Sequence, residues 1–158
     1  MGDEKKKRVM VAIDESVYSH HALRWALQNL DSLQDGKAKV YILTVLPVAD
    51  IGYIYASTPA NTAPELIQSV QENQRKAAGL LLEKAKNICT EYGIDAETIS
   101  EPGDPKEVIC EAAEKYDVQL LVVGSHGRNA LKRAFLGSVS NYCVHNANCP
   151  VLVVKKPT

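Results

Sequence analysis

Short apolar runs alternate along the chain with stretches in which apolar residues recur every three or four positions. Val9-Met10-Val11-Ala12-Ile13 is rich in β-branched residues and bounded by charge, the pattern of a strand buried on both faces. Ser16 stands where it can cap a following helix, whose Leu23, Ala26, Leu27 and Leu30 fall on one face. Gly36 closes that unit, and Val40 to Val45 predicts the second strand. A long irregular stretch, Leu46 to Ala63, then carries Pro47, Gly52 and Pro59. Connections of that length are often functional. Thr62-Ala63-Pro64-Glu65 has capping-box spacing and opens a helix with Ile67, Val70, Ala77, Leu81, Ala85 and Ile88 on its expected inner face. Gly93 is placed to end it in a left-handed conformation.

Ile94 to Ser100 predicts the third and weakest strand. Asp104-Pro105-Lys106-Glu107 begins another helix, with Val108, Ile109, Ala112, Ala113 and Tyr116 facing inward. Val118 to Val123 predicts the fourth strand, Ser138 to Asn146 a short helix, and Val151 to Val154 a last strand opened by Pro150. Strand and helix alternate throughout. That order implies right-handed crossovers and a parallel sheet covered on both faces: one doubly wound α/β domain over residues 1–158, with its core at about 6–155.

Composition narrows the function classes. In 158 residues, 18 Lys and Arg balance 19 Asp and Glu, so a generally basic nucleic-acid binder is not expected. The basic run Lys5 to Arg8 reads as a solvated terminus. No apolar window is long enough for a transmembrane helix. Val9 to Ile13 is too short for a signal-peptide core, and Lys6 spoils a myristoylation signal at Gly2. The expectation is a cytoplasmic protein, with the nucleus open to it. Cys89, Cys110, Cys143 and Cys149 lack Cys-x-x-Cys spacing and read as reduced core residues, or else as a source of oxidative cross-links between chains.

Ligands of open α/β sheets bind beyond the carboxyl ends of strands where strand order reverses. The first strand ends in Asp14-Glu15-Ser16. The fourth ends in Gly124-Ser125-His126-Gly127-Arg128, and the chain reaches the next helix at Gly137-Ser138-Val139-Ser140. Glycines that let backbone approach closely, a helix N-terminus, the Ser125, Ser138 and Ser140 hydroxyls, and the charges of Arg128, Lys132 and Arg133 suit a phosphate. The same residues also fit a plain loop with a capped helix. P-loop and dinucleotide fingerprints are absent. His20, His21 and His145 read as surface residues, and no nucleophile stands with an oriented base.

Gly124 to Ser138 fits Gly-x2-Gly-x9-Gly-Ser/Thr and resembles the nucleotide-binding motif of the universal stress protein family. The opening Val9 to Ser16, the run Leu120 to Gly127 and the closing Cys149 to Val154 resemble it too, and the small plant members most of all. The resemblance implies a Rossmann-like, adenine nucleotide alpha hydrolase-like fold with five parallel strands in the order 3-2-1-4-5. It implies an adenine site at Ala12, Ile13, Asp14 and Val45. It places ribose and α-phosphate at Gly124, His126 and Gly127, and the phosphates at Gly137, Ser138, Val139 and Ser140; Ser125 and Arg128 join the expected ligand-binding residues for their hydroxyl and charge. The implied ligand is ATP or AMP. Mg2+ would arrive with ATP and touch the protein at most through Asp14. The implied assembly is a homodimer paired through Val151 to Val154, acting in stress response or signalling with little or no catalysis. A redox- or oligomer-dependent chaperone-like protein and a slow ATPase or phosphotransferase are the alternatives.

Overall fold

A computed structural model describes residues 6–47, 56, 59, 63–126 and 136–157. The elements are β1 (Lys7–Ala12), α1 (Val17–Asn29), α2 (Asp31–Gln34), β2 (Ala38–Leu46), α3 (Ala63–Glu91), β3 (Ala96–Pro102), α4 (Pro105–Lys115), β4 (Leu120–Gly124), α5 (Ser138–Asn146) and β5 (Val151–Val154). The strands form one sheet in the order β3-β2-β1-β4-β5, every pair parallel. Val9 of the central strand lies opposite Val40 on one side and Leu120 on the other.

The alternation of side chains divides the core into two layers. Val9, Val11, Ile13, Ile42 and Val122 pack against α1 and α3. Met10, Ala12, Leu43, Leu121 and Val123 pack against α4 and α5. A strand buried on both faces has no polar side, which is why the strands read as continuous apolar runs.

Helix starts behave largely as expected. The Ser16 hydroxyl accepts from the Ser19 N–H at 3.2 Å and caps α1. Pro105 opens α4, but Asp104 occupies its N-cap position without a side-chain hydrogen bond. Thr62 lies outside the described residues, as does nearly all of the stretch between Leu46 and Ala63. Gly36 and Gly93 both adopt positive φ.

Two expectations change. The four-residue α2 has a single buried residue, Leu33, and so leaves no periodic signal. On α3 the inner face is Ala78, Leu82, Ala85, Ile88 and Cys89; Ala77 is exposed, and Ile67 and Val70 are only half-buried. At 29 residues α3 is about 44 Å long, against about 30 Å for β2. Apart from Ala63 at its start, its buried residues all lie in the second half, so the early apolar positions do not report the packed face.

Candidate functional site

The carboxyl ends of β1, β2 and β4 and the start of α5 stand at one edge of the sheet. The helices after β1 and β2 cover one face and those after β3 and β4 the other. The reversal therefore falls between β1 and β4, the place where open α/β sheets form a ligand crevice.

Ile13 is fixed from both backbone atoms: its N–H donates to Leu43 O at 2.8 Å, and the Thr44 hydroxyl donates to its carbonyl at 2.9 Å. Ala12 and Ile13 are buried, while Val45 is half-buried one residue beyond Thr44. Asp14 turns the chain into α1. Its Oδ1 accepts the Ser16 N–H at 2.8 Å, and its own N–H donates to Ser19 Oγ at 3.0 Å. The carboxylate thus builds the turn. Among the described residues no group of three or more His, Cys, Asp or Glu side chains could hold a metal ion.

Gly124 closes β4 without positive φ. Its reason for being glycine is different: a Cβ there would stand 2.8 Å from the Tyr18 carbonyl carbon and 3.0 Å from the Ser19 nitrogen. The close approach is between β4 and the start of α1. That contact sets the Tyr18 ring edge-on to His126, with centroids 5.2 Å apart and planes at 65°. His126 Nδ1 is buried and finds no hydrogen-bond partner among the described residues.

Ser125 joins three elements. Its N–H donates to Val154 O at 3.1 Å, and its carbonyl accepts from the Gly137 N–H at 2.7 Å and from the Ser140 hydroxyl at 2.9 Å. Ser125 and Ser140 are buried. The Gly137 N–H and the Ser140 hydroxyl, both expected as anion donors, therefore hold the start of α5 against the end of β4. Gly137 is the N-cap, and among the described residues no side chain caps the helix. The backbone N–H groups of Ser138, Val139 and Ser140 and the exposed Ser138 hydroxyl are what this helix start offers to an anion. Gly127, Arg128, Lys132 and Arg133 lie outside the described residues.

Sequence reasoning passed over three residues of this edge. Thr44 is a polar residue at a buried position of β2, which is itself a signal. Ser19 sits three residues after the Ser16 cap on the inner face of α1, again a readable spacing. Tyr18 carries no local signal, because its role follows from its contact with β4. The histidines also shift. His20 and His21 are half-buried, and only His145 is exposed. Burial, reinforced by the Lys84 ammonium and opposed by Asp14, holds His20 below its usual pKa.

Residues 6–155 match the family model described as the universal stress protein family. A universal stress protein A-like protein of Arabidopsis thaliana is 34% identical over 171 residues, an alignment covering 99% of this chain and 93% of that protein. The Bacillus subtilis universal stress protein YxiE is 33% identical, covering 94% and 98%. Among solved structures, an Arabidopsis thaliana universal stress protein family protein described with AMP bound superposes with a TM-score of 0.71 at 28% identity, covering 96% and 93%. UspA of Lactobacillus plantarum, at 21% identity and a TM-score of 0.77, shares the fold. Sheet order, motif and whole-length similarity agree, and the chain belongs to the universal stress protein family.

Proposed function

We propose that this protein binds an adenine nucleotide, AMP or ATP, at the carboxyl edge of β1, β2 and β4, and acts as a non-enzymatic binder in stress response or signalling. One observation carries the reading: the start of α5, which no side chain of the described residues caps, is held to the end of β4 by Ser125, so three backbone N–H groups are fixed beside the strand-order reversal. An N-terminus so placed favours an anionic phosphate without any metal. The AMP named for the Arabidopsis structure supports an adenine nucleotide as the anion's source. Val45, at the end of β2, is the candidate wall for the base. Asp14, fixed at the turn after β1, is the candidate contact beside the adenine, and a divalent ion enters only with a nucleotide that brings one.

Two further features belong to the proposal. β5 is an edge strand with β4 as its neighbour, and Val151, Leu152 and Val153 are half-buried, which suits antiparallel pairing with a second copy. No helix among the described residues is long and apolar enough to cross a membrane, which suits a cytoplasmic setting.

The test uses protein straight from purification. Denaturation and mass spectrometry identify any bound nucleotide, and calorimetric titration of AMP, ADP and ATP into stripped protein ranks them. Saturable binding of at least one is expected. The absence of both bound nucleotide and titration heat would overturn the reading and leave this edge as architecture.

A further inference from the structure

Cys110 on α4 and Cys143 on α5 touch across the contact between the two helices, with their Sγ atoms 3.9 Å apart. Neither belongs to the candidate nucleotide site. Cys143 is wholly buried. Cys110 is half-buried and lines a cleft of about 400 Å³ between the helices, together with Glu107, Glu111, Glu114 and Tyr142. A small solute can reach Cys110 from that cleft, whereas Cys143 lies behind it.

We propose that Cys110 and Cys143 form an intrachain disulfide when the protein meets a hydroperoxide. The peroxide oxidises the Cys110 thiol to a sulfenic acid and is itself reduced to water. The Cys143 sulfur then attacks the sulfenic sulfur. The S–S bond forms, the S–O bond breaks, and the departing hydroxide takes the Cys143 proton as a second water. Two thiols and one hydrogen peroxide give one disulfide and two waters.

Bonded sulfurs lie about 2.05 Å apart, so the contact must tighten by roughly 1.9 Å, within reach of a side-chain rotation at half-buried Cys110. Holding the thiols in contact gives the closing step a high effective concentration over any reaction between chains. Burial pushes the Cys143 thiol up to about 12 and also raises Cys110, so little thiolate is present at neutral pH and the bridge forms slowly. Neither thiolate is stabilised, and the bridge once made resists reduction. It acts as a slow latch. The loop it closes contains the whole of β4 and the chain onward to the first turn of α5.

Cys149, half-buried in the same apolar cluster, is the competing partner. The experiment treats the reduced full chain with hydrogen peroxide, alkylates the remaining thiols, and maps peptides without reductant. The expected result is a mass lower by two hydrogens, two alkylated cysteines in place of four, and a Cys110–Cys143 peptide that dithiothreitol releases. Cys143→Ser should abolish that peptide and leave a sulfenic acid at Cys110 for dimedone to trap. Cys110→Ser, at the less buried position, should abolish it in a chain whose circular dichroism is unchanged. A Cys110–Cys149 bridge, bridges only between chains, or four alkylatable thiols after prolonged peroxide would each overturn the proposal.

Discussion

The backbone of Tyr18 passes so close to Gly124 that a Cβ at position 124 would stand 2.8 Å from the Tyr18 carbonyl carbon and 2.9 Å from its oxygen. Backbone cannot swing aside as a side-chain tip can. Gly124→Ala should therefore cost about 1–3 kcal/mol by forcing α1 away from β4. It should also weaken nucleotide binding, since Tyr18 and His126 move apart. Gly93→Ala is the control: its Cβ meets nothing within 4 Å, but φ is +72°, so the expected cost is about 1–2 kcal/mol with affinity unchanged. Urea unfolding and nucleotide titration of both variants separate crowding at the site from simple backbone strain.

Ser138 and Ser140 should part company. Ser140→Ala removes a buried hydroxyl from the Ser125 carbonyl and should cost about 1–3 kcal/mol of stability as well as affinity. Exposed Ser138 tolerates change. Ser138→Glu places a negative charge in the first turn of α5, which should raise stability by about 0.3–1 kcal/mol. The same charge should repel a phosphate and lower affinity at least tenfold. Stability and affinity moving in opposite directions in one variant is an outcome a purely architectural α5 start would not produce.

Thr44 holds the Ile13 carbonyl from the next strand. Thr44→Val keeps the shape and removes the donor, leaving a buried carbonyl short of a partner. The expected loss is about 1–3 kcal/mol. Thr44→Ser, which keeps the hydroxyl, should lose less. Chemical denaturation of the pair reads the difference, and equal losses would show that the methyl group matters more than the hydrogen bond.

His20 carries a pH dependence of stability. Its pKa is lowered in the fold, chiefly by burial and secondarily by Lys84, from an ordinary value of 6.5. Above 6.5 the imidazole is neutral in both states. As pH falls below 6.5 the unfolded chain takes up the proton first, so stability is lost through the window between 6.5 and the folded value. His20→Gln cannot make this exchange. Its urea midpoint should fall less than the natural protein's between about pH 7.5 and about pH 5. Parallel curves would show that His20 does not titrate in that window.

Along β5, Leu121 N–H donates to Pro150 O and Ser125 N–H to Val154 O. By alternation the N–H groups of Val151 and Val153 point away from β4. Proline at Val153 leaves the ladder to β4 intact while removing an outward donor. If β5 pairs two copies, Val153→Pro should convert a dimer into a folded monomer by light scattering with circular dichroism unchanged. A natural protein that is already monomeric would sink the pairing.

The fold was legible because its signals are local. β-branched runs such as Val40 to Val45 cannot hide a polar face, and Ser16 and Pro105 mark helix starts by their own backbone chemistry. Local signals failed where packing decides. On α3 the early apolar residues Ile67 and Val70 lie on the half that buries little, and α2 is too short to have a period. The candidate site's segments were picked out by their position at strand ends and by motif, and α5 starts at Ser138, where the spacing put it. The sequence by itself determined the order of elements, the two-faced burial of the sheet and the family. Only the tertiary structure decided what each polar group does: that Gly124 makes room for Tyr18, that the Ser140 hydroxyl and Gly137 N–H serve Ser125, that Thr44 serves Ile13, and that Cys110 meets Cys143. Those roles depend on contacts between residues far apart in the chain, set by the distance between packed elements, and no residue's own spacing carries that distance.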